Sequence, residues 1–220
     1  MNTLTKMALG LMGQLKARPA RGDSSQSVAL PPPGKDGGMP LMQALWQRQS
    51  QREFGTQPLP ETMLGELLWA TAGVNRPALG GRTAPSAMNS QEVDVFVALP
   101  SGLYLYDAAA HALRLEVPSD IRGITGYQDF TDEAALDLVF VADHRRMTLV
   151  PAAQREAYAF TAAGAMAQNL YLYCASQGLA TVIRAWLDRH ALAQAMELGA
   201  DQQVLLAQTV GYPKQVSTGS

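Results

Sequence analysis

The stretch PAAQREAYAFTAAGAMAQNLYLYCASQG, residues 151–178, restricts the fold more than any other. Pro151 opens it and Gly178 supplies a stop, so the spacing predicts one long helix running to about Gln177. Ala162, Ala163, Ala165 and Ala167 are interspersed with Phe160, Met166, Leu170 and Tyr173, which puts small residues on several faces. A helix of that kind packs closely on more than one side and is either central or part of a subunit interface. Cys174 lies inside this run with no base beside it in sequence and reads as a small core residue.

Shorter elements surround this helix. After Pro40, Met42, Leu45 and Trp46 recur at helical spacing, and a second helix is predicted from Pro60 to Ala72, with Met63, Leu64, Leu67, Leu68 and Thr71 on its core face. EVDVFVAL (92–99) turns Val93, Val95, Val97 and Leu99 to one side, as a half-buried strand does. A hairpin or meander follows with its turn near Asp107 to Ala110, then a buried strand at 136–143. Beyond the long helix come LATVIRA as a strand, a helix stopped by Gly199, and a final strand that leaves the core at Gly211. The pattern is α+β, a mixed or antiparallel sheet flanked by helices, without the regular alternation of a doubly wound fold.

With 47% apolar and 16% charged residues, the chain suits one folded domain, placed at 39–220. Residues 1–38 carry RGDSSQS and PPPGKDGG and read as an arm or linker. The apolar run MALGLMGQL is far shorter than the roughly 20 residues a membrane span needs. No membrane span is expected and the location is read as cytoplasmic, a short cleaved signal being the alternative. A net charge of −2 argues against nucleic acid as a partner.

Several chemistries find no support. His111, His144 and His190 are scattered, without metal-ligand spacing, and no G-x-S-x-G elbow, P-loop or G-x-G-x-x-G follows a strand. The acidic pair Asp132 and Glu133 after Thr131 is read as a capped helix start.

Three stretches carry more. In RQSQREF, Arg48, Ser50 and Arg52 stand at alternate positions, offering two guanidinium groups and a hydroxyl to a phosphate; a helix end explains the same residues. TAPSAMNSQEVDVFVAL sets Pro85, Ser86, Ala87, Met88, Asn89 and Gln91 on a loop leading into a strand, suited to approach a planar ring, or to a plain turn. VGYPK brings Lys214 out just after the last strand.

In this order the stretches resemble the FMN-dependent nitroreductase family, from MPLMQALWQRQSQREF through GGRTAPSAMNSQEVDVFVAL to QTVGYPK. LPPPGKDGGMPLMQAL and GGRTAPSA look like the branch that includes azoline-oxidising (thiazole oxidase-like) dehydrogenases. The resemblance implies a nitroreductase-like fold, an intertwined homodimer and FMN at the subunit interface. It assigns Arg48, Gln49, Ser50 and Arg52 to the phosphate, ribityl chain and ring edge, and Lys214 to the phosphate. The loop Pro85, Ser86, Ala87, Met88, Asn89 and Gln91 would reach the flavin from the other subunit. Ile183, Arg184 and Ala185 align with the turn whose backbone amide faces flavin N5, and there Arg184 and Trp186 depart from the family's usual Pro-x-Glu-Gly-like sequence. No catalytic acid or base is implied. The implied cycle is ping-pong, with NADH or NADPH as donor and a nitroaromatic, quinone or similar acceptor. The alternatives are a substrate oxidase that passes electrons to oxygen and a flavin-binding module without turnover.

Overall fold

The structure, a computed structural model, describes residues 27–215. Its strands are β1 (Ser27–Ala29), β2 (Val74–Arg76), β3 (Gly81–Arg82), β4 (Val93–Leu99), β5 (Gly102–Asp107), β6 (Ala112–Val117), β7 (Leu136–Asp143), β8 (Ala180–Arg184) and β9 (Gln202–Gly211). The helices are α1 (Leu41–Gln47), α2 (Glu61–Ala72), α3 (Ala152–Gln177) and α4 (Arg189–Ala195). The signal-like run at 7–15 and the first part of the expected arm lie outside the described residues.

Seven strands form one sheet in the order β1-β6-β5-β4-β7-β9-β8, every pairing antiparallel. β7 lies inside it and is buried at all eight positions, which a near-continuous apolar run, LDLVFVAD, permits. On one face Val93, Val95 and Val97 of β4 meet α2 and α3; on the other, Phe96 and Ala98 meet Leu187, Leu192 and Met196 around α4. Covering both faces explains why β4 buries residues on each side where alternation alone predicts one buried side.

α3 is the expected long helix. Ala159, Ala163, Met166, Leu170 and Cys174 recur at three- and four-residue steps and form its core stripe, with small residues allowing α2 to approach. Each large side chain buried there contributes roughly 1.5–3 kcal/mol. Gly178 ends the helix in the left-handed conformation, and Leu179 N–H returns to Cys174 O.

Three local readings change. Residues 27–38, expected as arm or linker, lie along the domain: β1 pairs with β6, His111 Nε2 bonds Pro31 O at 2.9 Å, and Glu66 accepts from Gly34 N–H. No helix starts at Thr131; its hydroxyl donates to Gln128 O in a turn, because β7 begins five residues later and leaves no length for one. α1 forms at the expected spacing but buries only Ala44, leaving Leu41, Met42, Leu45 and Trp46 exposed, Trp46 to 90%. Among the described residues no helix is long and apolar enough to cross a membrane.

Candidate functional site

α1 is over before the basic residues begin. It has no basic residue in its last turn, and Arg48 already has φ −55° and ψ 121°. The chain then runs along the sheet edge: Gln51 N–H donates to Thr181 O at 3.0 Å, Gly55 N–H to Tyr212 O at 2.8 Å and Lys214 N–H to Glu53 O at 3.1 Å. Phe54 pairs with Pro213 and buries its ring beside Ala180, Val182 and Phe130. The helix-end explanation therefore does not hold for Ser50 and Arg52, which lie beyond the helix. The same backbone bonding brings the Lys214 segment alongside Glu53 and hence close to Arg52.

Tyr171 of α3 joins this segment to β8. Its hydroxyl accepts from Ile183 N–H at 3.0 Å and shares a 2.7 Å hydrogen bond with Ser50 Oγ, while the Arg48 guanidinium lies over its ring, 5.3 Å from the centroid. Arg52 and Lys214 are exposed, with no side-chain hydrogen bond or ion pair among the described residues. A cleft of about 140 Å³ adjoins them, lined among others by Gln49, Gln51, Tyr171, Thr181 and Pro213. Sequence reasoning missed Tyr171, and its only signal is that a tyrosine in an apolar helix stripe needs a partner for its hydroxyl.

The second group is the loop 84–92. Met88, Asn89 and Gln91 adopt positive φ of 55°, 51° and 48°. For Met88 and Gln91 this costs on the order of 1 kcal/mol or more each and persists only under strong support. Ser86 Oγ accepts from Gln91 N–H, and the Gln91 amide donates to Gly80 O while accepting from Arg82 Nε. Arg146 donates to Gln91 O and forks onto Asp94. Glu92 beneath the loop is pushed above the usual carboxylate range by burial, against the bond from Ser90. Gln91, expected at the ligand, thus has its amide spent inside the protein and acts as a support. Asn89 Nδ2 is different: it is buried and has no hydrogen-bond partner. Pro85 and Met88 are exposed, and Ser86 and Ala87 half-buried.

The third group is the end of β8. Ile183 packs toward α3, whereas the Arg184 side chain turns to the opposite face. There it pairs with Asp137, donates to Thr125 Oγ1 at 3.0 Å and lies over the Phe130 ring. Arg184 thus offers its backbone at the edge, while its side chain is held on the other face. Desolvation pushes the Asp137 carboxyl up to about 6, even against Arg184 and Thr209. Trp186 is 71% exposed and faces Tyr127.

Tyr171 joins the first and third groups, whereas the loop lies apart from them. Asn169 donates to Thr83 O just before the loop, while Tyr171 lies about 200° further round the same helix. α1 crosses α3 between them, its lead residue Met39 held by Ser176 Oγ and its end by the Arg48–Tyr171 contact. The phosphate-type cluster and the strained loop occupy opposite flanks of α3.

Comparison with known proteins adds the family. The model of the nitroreductase family matches residues 45–212. A Methanocaldococcus jannaschii protein named as a nitroreductase is 30% identical over 152 residues, 64% of this chain and 76% of its own length. The crystal structure of a Ralstonia eutropha JMP134 protein, also named as a nitroreductase, superposes with TM-score 0.84 at 53% identity, over 92% of this chain and 96% of that one. The Escherichia coli microcin synthetase complex McbBCD gives TM-score 0.68 at 16% identity, over 96% and 93% of the two chains. The NADPH:FMN oxidoreductase of Vibrio harveyi gives 0.59 at 21%, over 80% and 69%. These last two likenesses speak to fold alone. The matched span takes in Arg48, the loop and the β8 end, and the chain belongs to the nitroreductase family.

Proposed function

We propose that this chain is an FMN-dependent oxidoreductase in which NADH or NADPH drives reduction of a nitroaromatic, quinone or similar acceptor. The observation that carries the reading is the donor set on the sheet edge: Arg48, Ser50, Arg52 and Lys214, with Arg52 and Lys214 uncommitted inside the described chain. Three cations and a hydroxyl fit a phosphate dianion, and hydrogen bonds to such a charge contribute about 1.5–3 kcal/mol each. The unpartnered Asn89 Nδ2 fits a ring carbonyl or nitrogen in the same way.

In this reading Arg48, Gln49, Ser50, Arg52 and Lys214 hold the phosphate, ribityl chain and ring edge. Tyr171 fixes Ser50 and the Ile183 amide relative to one another. The backbone from Ile183 to Ala185 lines the reactive edge, and Pro85 to Asn89 of a second copy close the ring from the other side, with Gln91 supporting them. Bound FMN supplies the hydride transfer. The chain's own residues supply binding and orientation, and Arg52 stabilises negative charge on the ring. In this reading each site takes its clamp from one copy and its loop from another, since the two lie on different flanks of α3.

The test is the visible spectrum of the purified protein before and after anaerobic NADPH and NADH. Oxidised-flavin bands that bleach are expected; a protein that cannot be loaded with FMN sinks the reading. A second reading, oxidation of a substrate with electrons returned to oxygen, has in its favour the stretches LPPPGKDGGMPLMQAL and GGRTAPSA, which look like the azoline-oxidising branch. Flavin that binds but is bleached by neither nicotinamide points to it.

A further inference from the structure

Two aromatic side chains remain outside this account. Trp186 is 71% exposed and Tyr127 55%, yet their rings lie 5.2 Å apart at 51°. Trp186 follows directly on the Ile183–Ala185 backbone, and Tyr127 comes from the loop between β6 and β7. Isolated exposed apolar residues need no explanation, but two large rings tilted against each other beside a binding edge do.

The support beneath them is specific. Arg184, two residues before Trp186, reaches under the loop and donates to Thr125 Oγ1 at 3.0 Å and Gln128 Oε1 at 3.5 Å, the residues on either side of Gly126 and Tyr127. A Cβ on Gly126 would collide with the Arg184 guanidinium, so the loop crosses directly over it. Asp137, fully buried, pairs with the same Nη2 that donates to Thr125 and anchors Arg184 in place. One buried guanidinium therefore ties together the two segments that present the rings. Flat apolar surfaces held rigid before binding lose little conformational freedom when a planar partner settles on them.

We propose that Tyr127 and Trp186 form an aromatic ledge that selects planar aromatic acceptors at the mouth of the site, with Arg184 as the positioning residue that sets the ledge. The proposal rests on the FMN reading above and names a specificity element for it.

The test compares Trp186→Ala, Tyr127→Ala and Trp186→Phe with the unaltered protein, all loaded with FMN. With 1,4-naphthoquinone, KM rises about tenfold in the two alanine variants while kcat changes less than twofold; Trp186→Phe stays near the unaltered protein. With ferricyanide, which has no ring to stack, and in the rate of NADPH bleaching, the variants match the unaltered protein within twofold. Calorimetric binding of 1-naphthoate, which cannot be reduced by the flavin, weakens at least fivefold in Trp186→Ala. Gly126→Ala, which displaces the loop from Arg184, raises the naphthoquinone KM with flavin content unchanged. Flavin bound and bleached normally, with an unchanged naphthoquinone to ferricyanide preference and unchanged naphthoate binding, overturns the ledge alone. Absence of flavin uptake overturns the FMN reading and the ledge's assigned role with it.

Discussion

Asp137 and Arg184 illustrate what a single pair of side chains can hide. In the sequence, Arg184 stands at the end of an apolar strand and Asp137 near the start of another, 47 residues apart, with β9 between them in the sheet. Their pairing depends on strand order, which local pattern does not encode. The pair also carries a pH signature. The unfolded carboxyl titrates near 3.9 and the folded one at about 6, so between those values the folded state holds more protons. Stability from this group is therefore full below about pH 4 and falls as pH rises through 6, by roughly 3 kcal/mol in all. Asp137→Asn leaves Arg184 buried without a counter-charge and is expected to cost about 3–5 kcal/mol at pH 7. It also removes the downward contribution between pH 4 and 6. Urea unfolding from pH 4 to 7 checks both effects; a variant whose pH slope matches the unaltered protein's would show that Asp137 does not titrate in that window.

Elements with strong periodicity were legible from sequence, and elements defined by what they lean on were not. α2, α3, β4 and β7 announce themselves through apolar spacing, and the two helices also through a closing glycine. The Arg48–Gly55 segment has no such period. It is extended because Gln51 bonds Thr181 and Gly55 bonds Tyr212, partners from β8 and beyond β9. Its basic residues were legible as a motif, whereas Tyr171, which locks it, was not, since nothing in LYLYC distinguishes Tyr171 from Tyr173. Tyr173 hydroxyl instead donates to Glu66, on the flank that holds Gly34. Tyr171→Phe removes the acceptor for Ile183 N–H and the partner of Ser50. The expected result is a loss of about 1–2 kcal/mol in stability and a weakening of FMN binding by roughly tenfold. Thermal melts and titration of FMN fluorescence measure the two effects; Tyr173→Phe serves as the comparison and is expected to leave FMN affinity unchanged.

The two flanks of α3 bear on how copies of the chain assemble. Leu41, Met42, Leu45 and Trp46 on α1 lie between the half-sites, exposed in the single chain. A second copy related by a two-fold axis would cover them and bring each chain's loop to the other's clamp, as an isologous interface requires. The assembly should then sediment at about twice 23.6 kDa. A sharper test separates shared sites from sites within one chain. Arg48→Ala/Arg52→Ala destroys the clamp half and leaves the loop; Asn89→Gly removes the unpartnered amide, keeps the positive φ and leaves the clamp. Each variant alone should hold little FMN at a concentration that saturates the unaltered protein. When the two are co-expressed, half the dimers are mixed, and each mixed dimer contains one site built from an intact clamp and an intact loop. Flavin content should recover to about one quarter of the unaltered value, because only one site in four is whole. If clamp and loop met within a single chain, no mixture could restore binding, and flavin content would stay at the level of the parents.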